Sequence, residues 1–301
     1  ITCRDWSSDV CSSDLVFATP KKLPDAGRLQ GRVAVLDLGF CAQGLNPSFE
    51  EMTGPFLARL GERLCAWVDH HDHPYHVRYG HDPRFVLATK DRAPACAPMV
   101  TAEVVRLLGP ADTLVAHLDF DGLYSCARWI LEGEEPYAGA DADAVAVDTR
   151  VGPLTRVGRL IDRALRAKFQ DAPLKIAVVR YLTTKSPAAA ENFLDTIREA
   201  ALVYDRLEAD TLAWAGRFTV RHDVAFVSVP DGVRFDKTEL LLRGQALAKV
   251  AVVESSGSLT LAADFHSDVN FLELFGLGGG MPTRVTIPSA RKAEVLEKLG
   301  Y

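Results

Sequence analysis

The chain has 301 residues, 48% of them hydrophobic and 25% charged, and a formal net charge of −6. A chain of this length can bury more than one core, and no apolar run in it is long enough to span a bilayer. The negative charge argues against a broadly basic surface for extended duplex nucleic acid, although a local cleft could hold a short anionic substrate.

The first residues differ in character from the rest of the chain. Residues 1–15 lack a charged stretch followed by an apolar one, so they do not form a signal peptide, and they are similar to translated sequencing adapter. We therefore expect them to be a non-native segment that includes Cys3 and Cys11. The other cysteines occupy apolar positions without a CxxC spacing: Cys41, Cys65, Cys96 and Cys126. This pattern predicts buried, reduced thiols in a cytoplasmic protein.

Short apolar runs alternate with helical patterns from residue 31 onward. Strands are predicted within 32–39, 64–71, 84–89 and 112–122. Helices are predicted within 55–64 and 99–109. This alternation predicts an α/β fold, with a mostly parallel sheet covered by helices on both faces. Ligands of such sheets bind outside the carboxyl ends of the strands.

The second half of the chain predicts a connector and a smaller α/β domain. The predicted elements are an apolar run at 143–152, a helix near 154–168, a strand at 174–182, a long helix from about 188 to 214, a strand within 223–232, a helix at 237–247 and a hairpin at 248–265. The corresponding domains are a catalytic domain at 28–187, a helical connector at 188–217 and a substrate-binding domain at 218–301.

Aspartates and histidines concentrate where the predicted strands end. The segment WVDHHDHPYH, at 67–76, holds four of the eight histidines of the chain. In HLDFDG, the residues His117, Asp119 and Asp121 are two apart, so their side chains share one face of an extended segment. Carboxylate and imidazole groups together are suitable ligands for Mn²⁺. Two such ions can stabilise the attacking and the leaving oxygen of a displacement at phosphorus. The pattern therefore favours a metal-dependent phosphohydrolase.

Two motifs together resemble a known family. VDHH at 68–71 and HLDFDGLYS at 117–125 are similar to the signatures of the DHH phosphoesterase superfamily. VAVLDLG at 33–39 resembles the intermediate motif of that family, and FGLGGGMP at 275–282 resembles the glycine-rich loop of its associated substrate domain. The motif order differs, because HLDFDG comes last here and first in the family. We interpret this order as a circular permutation, since metal ligands must converge in space and not in sequence.

The resemblance implies a two-ion Mn²⁺ site, with Mg²⁺ as the alternative metal. Asp37 would bridge the ions, His117 and Asp119 would hold one, and Asp121, His70 and Asp148 would hold the other. Asp148 is expected on a later strand, with Asp143 as a poorer candidate. The implied catalytic residues are Asp69, His70 and His71, of which Asp69 would orient His70 and His71 would contact phosphate.

The implied substrate is a short oligonucleotide, a dinucleotide or another small phosphoester, and a homodimer is left open. The residues expected to bind it are Ser125, Gly278, Gly279, Gly280 and Arg284. Met281 departs from the family, whose loop has histidine there, because methionine cannot donate a hydrogen bond to phosphate.

Two alternatives follow from the same residues. One is a catalytically silent nucleotide-binding protein of this fold, suggested by Met281 and by the motif order. The other is an unrelated zinc or iron hydrolase that uses the histidines between 70 and 81. We expect His73, His76 and His81 to be surface or supporting residues, because their spacing fits no standard zinc pattern.

Overall fold

The computed structural model describes residues 15–42 and 46–301. They form two compact units, one ending at Leu202 and the other beginning at Val203. The division falls inside a long helix. In the described part of the chain, no helix is both long and apolar enough to cross a membrane.

The first unit is built on a five-stranded sheet in which every pairing is parallel. Its strands are Leu15–Ala18 (β1), Val33–Leu36 (β2), Leu64–Asp69 (β3), Phe85–Leu87 (β4) and Thr113–His117 (β5). Their order across the sheet is β1-β5-β2-β3-β4. Strands β5, β2 and β3 are therefore neighbours, so their carboxyl ends meet at one edge.

Helices connect and cover these strands. The α-helices are Thr53–Leu60 (α1), His76–Tyr79 (α2), Ala102–Leu108 (α3), Phe120–Ile130 (α4), Ala140–Thr149 (α5), Arg156–Ala167 (α6), Ala172–Thr183 (α7) and Pro187–Ala215 (α8). Short 3₁₀ helices occur at Ala26–Arg28, Gly61–Arg63 and Ala97–Met99.

Both faces of the sheet are buried. On β2, Val33 and Val35 pack into one apolar cluster with Trp67, whereas Ala34 and Leu36 pack into a second cluster. Alternate residues of a strand point to opposite faces, so the two clusters lie on opposite sides of the sheet. The predicted α/β class, with a parallel sheet between helical layers, is confirmed.

The second unit contains a separate sheet of mixed direction. Its strands are Thr219–Arg221 (β6), Val224–Ser228 (β7), Val250–Ser255 (β8), Ser258–Ala263 (β9) and Arg284–Pro288 (β10), in the order β10-β9-β8-β7-β6. Its helices are Lys237–Gln245 (α9), Phe271–Phe275 (α10) and Lys292–Lys298 (α11), with a 3₁₀ helix at Ser289–Arg291. In this second sheet, β7 and β8 pair in parallel and the other neighbouring strands pair antiparallel. The predicted hairpin is confirmed as β8 and β9.

Two predicted strands are helices. The strand predicted at 174–182 is helix α7, which begins at an Asp171 cap that accepts from the Leu174 amide, with a proline in the first turn. The run at 143–152 is mostly helix α5, which carries Asp148. Helix α7 packs on the buried helix α4, so it is apolar on more than one side. Such a run lacks the one-sided pattern that identifies an amphipathic helix.

Strand β1 has no counterpart among the predicted strands. Leu15 belongs to the predicted non-native segment, but it is buried and pairs with Leu114 of β5. The rest of that segment, residues 1–14 with Cys3 and Cys11, lies outside the described residues. The other four cysteines are buried free thiols, as predicted.

Gly122 permits the sharp entry from β5 into α4. A Cβ atom at this position would lie 2.2 Å from the carbonyl oxygen of His117. We expect Gly122→Ala to lower the free energy of unfolding by about 1–3 kcal/mol, because backbone atoms must shift to relieve the overlap. Urea unfolding measures this loss.

Gly27→Ala is the matched control in the same unit, because the nearest atom to its added Cβ is a carboxylate oxygen 3.4 Å away. Equal stability of the two variants would contradict the steric explanation.

Candidate metal centre

Three neighbouring strands place the motif residues at one edge of the sheet. Asp37 directly follows β2, Asp69 is the last residue of β3, and His117 is the last residue of β5. Because these strands are parallel and adjacent, their carboxyl ends project the following residues into one space. The predicted convergence of the three motifs is present in the structure.

The first group of potential metal ligands consists of Asp37, His117 and Asp119, whose ligand atoms all lie within 4.8 Å of one another. The Nδ1 atom of His117 is 2.7 Å from an Asp119 oxygen and 3.9 Å from an Asp37 oxygen. Two carboxylates and one imidazole suit a divalent cation such as Mn²⁺.

An unpaired carboxylate oxygen supports this assignment. The Oδ1 atom of Asp37 is buried and has no hydrogen-bond partner among the described residues. Buried polar atoms without partners are rare and costly in native proteins. A cation bound beside His117 and Asp119 would satisfy this oxygen, so the residues fit a metal ion.

The backbone at Asp37 is in an unusual conformation. Its φ is 53°, in the left-handed region that non-glycine residues seldom adopt. The Asp37 amide donates to the Val68 carbonyl at 2.9 Å, which ties this residue to strand β3. Backbone conformations of this kind cluster at functional sites, where the surrounding structure holds them in place.

The second group consists of His70, Asp121 and Asp148. The Nε2 atom of His70 is 3.5 Å from an oxygen of each of the two aspartates and 3.2 Å from an oxygen of Asp37. Asp148 therefore joins the cluster as predicted, although it comes from helix α5 and not from a strand. Asp143 lies elsewhere, where it accepts from the backbone amide of Thr155, the N-cap residue of helix α6, at 2.7 Å.

Lys90, which the sequence analysis missed, enters the second group. Its Nζ atom donates to Nε2 of His70 at 3.0 Å and contacts the carboxylate of Asp148 directly. Its side chain is only 3% exposed. Lys90 lies in the loop that follows β4, and no motif or spacing marks it.

The histidines of the DHH motif are oriented differently from the prediction. The Nδ1 atom of His70 is 2.8 Å from the carbonyl oxygen of Ala93, which can only accept, so this nitrogen carries the hydrogen. Asp69 bonds instead to Nδ1 of His71, at 2.8 Å. The predicted role of Asp69 in orienting His70 is therefore wrong, because this carboxylate orients His71.

Asp121 is held by the backbone. Its two carboxylate oxygens accept from the amides of Cys96 at 2.6 Å and Ala97 at 2.9 Å, where a 3₁₀ helix begins. These bonds connect α4 to the loop after β4. Asp119 caps α4 by accepting from the Gly122 amide at 3.2 Å.

Burial and like charges perturb the acid groups. Burial and the neighbouring Asp121 and Asp119 raise the pKa of Asp37 well above its usual value. Burial raises the pKa of Asp121 to about 6. Burial alone would lower the pKa of His117, but the adjacent Asp119 outweighs it and raises that pKa to about 9. The raised pKa values show that these carboxylates and His117 are stabilised when positive charge, such as a proton, is added to the site.

The side chains of the cluster differ in their exposure to solvent. Those of His71, His117 and Asp119 are 23%, 22% and 37% exposed. In the second group, those of His70 and Asp121 are 0% and 2% exposed and that of Asp148 is 16% exposed. The first ligand group therefore has the more exposed side chains.

The predicted substrate residues lie in different units. Ser125 is fully buried in helix α4 of the first unit. In the second unit, Gly279 and Gly280 have φ values of 135° and 118°, which other residues rarely adopt. Arg284 donates to the Thr238 hydroxyl at 3.1 Å. Gly278 belongs to the same loop as these two glycines.

His73, His76 and His81 lie outside the potential ligand groups of the described residues. His73 is buried, its Nε2 atom lies 3.2 Å from the Cys41 carbonyl, and burial lowers its pKa to about 4. It is therefore part of the core and not a surface residue. Of the histidines between 70 and 81 on which the alternative hydrolase depends, His70 and His71 are the members of potential ligand groups among the described residues.

No protein-family model and no curated protein matches the chain. Among solved structures, exonuclease RecJ bound to manganese is similar at a TM-score of 0.38 and 16% identity, and the match covers 58% of this chain and 49% of the RecJ chain. RecJ from Thermus thermophilus in complex with Mg²⁺ is similar at a TM-score of 0.38 and 14% identity, covering 85% of this chain and 38% of that RecJ chain. PggH from Vibrio cholerae, a pGpG-specific phosphodiesterase, is similar at a TM-score of 0.41 and 13% identity, covering 90% of this chain and 97% of the PggH chain.

The chain thus spans half or less of the two RecJ chains. Likenesses at these scores support no conclusion about its metal or its substrate.

The raised pKa of His117 predicts a pH-dependent stability of the metal-free protein. The folded protein keeps this proton up to about pH 9, whereas the unfolded chain loses it near 6.5. The stabilisation is therefore complete below about pH 6.5 and is lost as the pH rises through about 9. We expect the free energy of unfolding of chelator-treated protein to fall by roughly 1–3 kcal/mol across this range.

Urea unfolding at several pH values measures the slope. His117→Gln should remove most of it, because glutamine does not titrate. If the free energy of unfolding of this variant depends on pH as it does in wild type, other titrating groups cause the dependence and the prediction for His117 is wrong.

Proposed function

We propose that the protein is a metal-dependent phosphohydrolase that cleaves a phosphodiester or phosphoanhydride of a short oligonucleotide or dinucleotide, with Mn²⁺ as its metal. The observation that carries the proposal is the ligand group of Asp37, His117 and Asp119, in which a buried oxygen of Asp37 has no hydrogen-bond partner among the described residues. The resemblance of the motifs to the DHH phosphoesterase superfamily supports the same class of reaction.

The proposed ligands favour manganese over magnesium. Asp37, His117 and Asp119 would hold the ion, and imidazole is a better ligand for Mn²⁺ than for Mg²⁺. When bound, such an ion supplies Lewis-acid polarisation of the phosphate and activation of water at neutral pH. Mg²⁺ stays the alternative.

His71 is the proposed phosphate contact and proton carrier. Its Nδ1 atom bonds to the fully buried Asp69, and it contributes a ring nitrogen within 4.8 Å of ligand atoms of Asp37 and His70. A carboxylate bonded to one ring nitrogen fixes the orientation of the ring and leaves the other ring nitrogen to face the site. The partial exposure of His71 leaves it accessible to substrate.

The solvent-facing side of the cluster is consistent with a small anionic substrate. The proposed substrate-binding residues remain Ser125, Gly278, Gly279, Gly280 and Arg284. Backbone amides of a glycine-rich loop can approach a phosphate closely, and an arginine adds charge and directional donors. Because Ser125 is fully buried, we assign it a supporting position behind the ligand groups.

A hydrolysis assay tests the proposal directly. We expect Mn²⁺-dependent turnover on a panel of short oligoribonucleotides, linear and cyclic dinucleotides, a nucleoside bisphosphate and pyrophosphate. Asp119→Asn should lower kcat/KM by at least about 100-fold, because it removes a charged metal ligand. Asp162→Asn is the control, since it changes a buried aspartate of the same unit that pairs with Arg166 away from the cluster.

Metal binding without turnover on any member of the panel would favour the catalytically silent nucleotide-binding protein. Equal losses in the two variants would show that the effect is structural, and would overturn the assignment of Asp119.

A further inference from the structure

We propose that the ammonium group of Lys90 permanently occupies the second cation position, so that each chain binds one divalent ion at Asp37, His117 and Asp119. This inference rests on the proposed function, and it revises the two-ion site that the family resemblance implies. Lys90 is then a positioning residue that supplies a fixed positive charge where a second metal ion would otherwise bind.

The contacts of Lys90 are those expected of a cation at this position. Its Nζ atom is 3.0 Å from Nε2 of His70 and in direct contact with Asp148, which are two members of the second ligand group. Its backbone amide donates to an Asp72 oxygen at 3.3 Å, which anchors the loop. The side chain is almost fully buried, so its position is fixed by the surrounding protein.

The hydrogen bonding of His70 is consistent with an ammonium partner. Its Nδ1 atom donates to the Ala93 carbonyl, and its Nε2 atom lies 3.0 Å from Nζ of Lys90, which can only donate, so Nε2 presents a lone pair to the ammonium. An ammonium group has only hydrogens to donate and therefore pairs with that lone pair. Without a cation here, the lone pair would face the carboxylate oxygens of Asp37 and Asp121, at 3.2 and 3.5 Å.

The first and second ligand groups differ in the positive charge that they already hold, and a third group, Asp37, His70 and His71, shares one residue with each. In the second group, His70 and Asp148 bond to Lys90, and both oxygens of Asp121 accept from backbone amides. In the first group, an Asp119 oxygen lies 2.7 Å from Nδ1 of His117, and no lysine or arginine of the described residues pairs with Asp37 or Asp119. The position without a fixed cation is therefore the first group, where His117 and Asp119 are partly exposed to solvent.

A lysine changes the chemistry of the second position. An ammonium carries one positive charge and can stabilise negative charge on phosphate oxygens, but it has no open coordination position for water. Water activation would then fall to the single metal ion.

Counting bound manganese tests the inference. Full-length wild type and Lys90→Met are stripped with a chelator and equilibrated with Mn²⁺, and bound manganese per chain is measured by elemental analysis. We expect one ion in wild type and a twofold increase in Lys90→Met, because methionine leaves the second ligand group without its cation. Electron paramagnetic resonance should change from the signal of an isolated Mn²⁺ to that of a coupled pair.

Lys175→Met is the matched control. Lys175 is also buried in the first unit, but it donates to the Phe169 carbonyl, so this variant should bind manganese as wild type does.

Two manganese ions in wild type would overturn the inference and leave the proposed function standing. A folded Lys90→Met that binds a single ion would overturn it as well. If Lys90→Met does not fold, the number of manganese ions bound per wild-type chain tests the inference by itself. Absence of any bound manganese would reject the proposed function and this inference together.

Discussion

The carboxylate of Asp37 is buried beside the negative charges of Asp121 and Asp119, which oppose its ionisation. Burial and these two charges raise the pKa of Asp37, and burial together with the charge of Asp148 raises the pKa of Asp121. Such a cluster is stable only with compensating positive charge. Lys90 supplies one such charge at His70 and Asp148, and we propose that a divalent ion supplies another at Asp37, His117 and Asp119.

The sheet explains how residues far apart in the chain reach this space. Strands β5, β2 and β3 are neighbours, although β5 is the last of them in sequence. Their parallel ends bring the motif of HLDFDG next to Asp37 and then to the DHH motif. The order of motifs along the chain therefore has no effect on the convergence of their side chains, and a permuted order is compatible with an intact site.

The sequence was sufficient to predict the strands that carry the motifs, because short apolar runs ending in Asp or His are typical of buried strands in an α/β chain. It was insufficient for helix α7, whose buried position makes it apolar on several sides. It also missed Lys90, since the importance of this residue comes from the path of the loop after β4 and not from any local pattern. The roles of Asp69 and Asp148 depended on side-chain geometry and on a helix that periodicity did not reveal.

Anomalous diffraction from crystals grown with Mn²⁺ is the most direct measurement of whether this cluster is a metal centre. The account predicts a manganese peak within bonding distance of Asp37, His117 and Asp119. Manganese bound only elsewhere on the chain, or no anomalous peak among these residues, would contradict it.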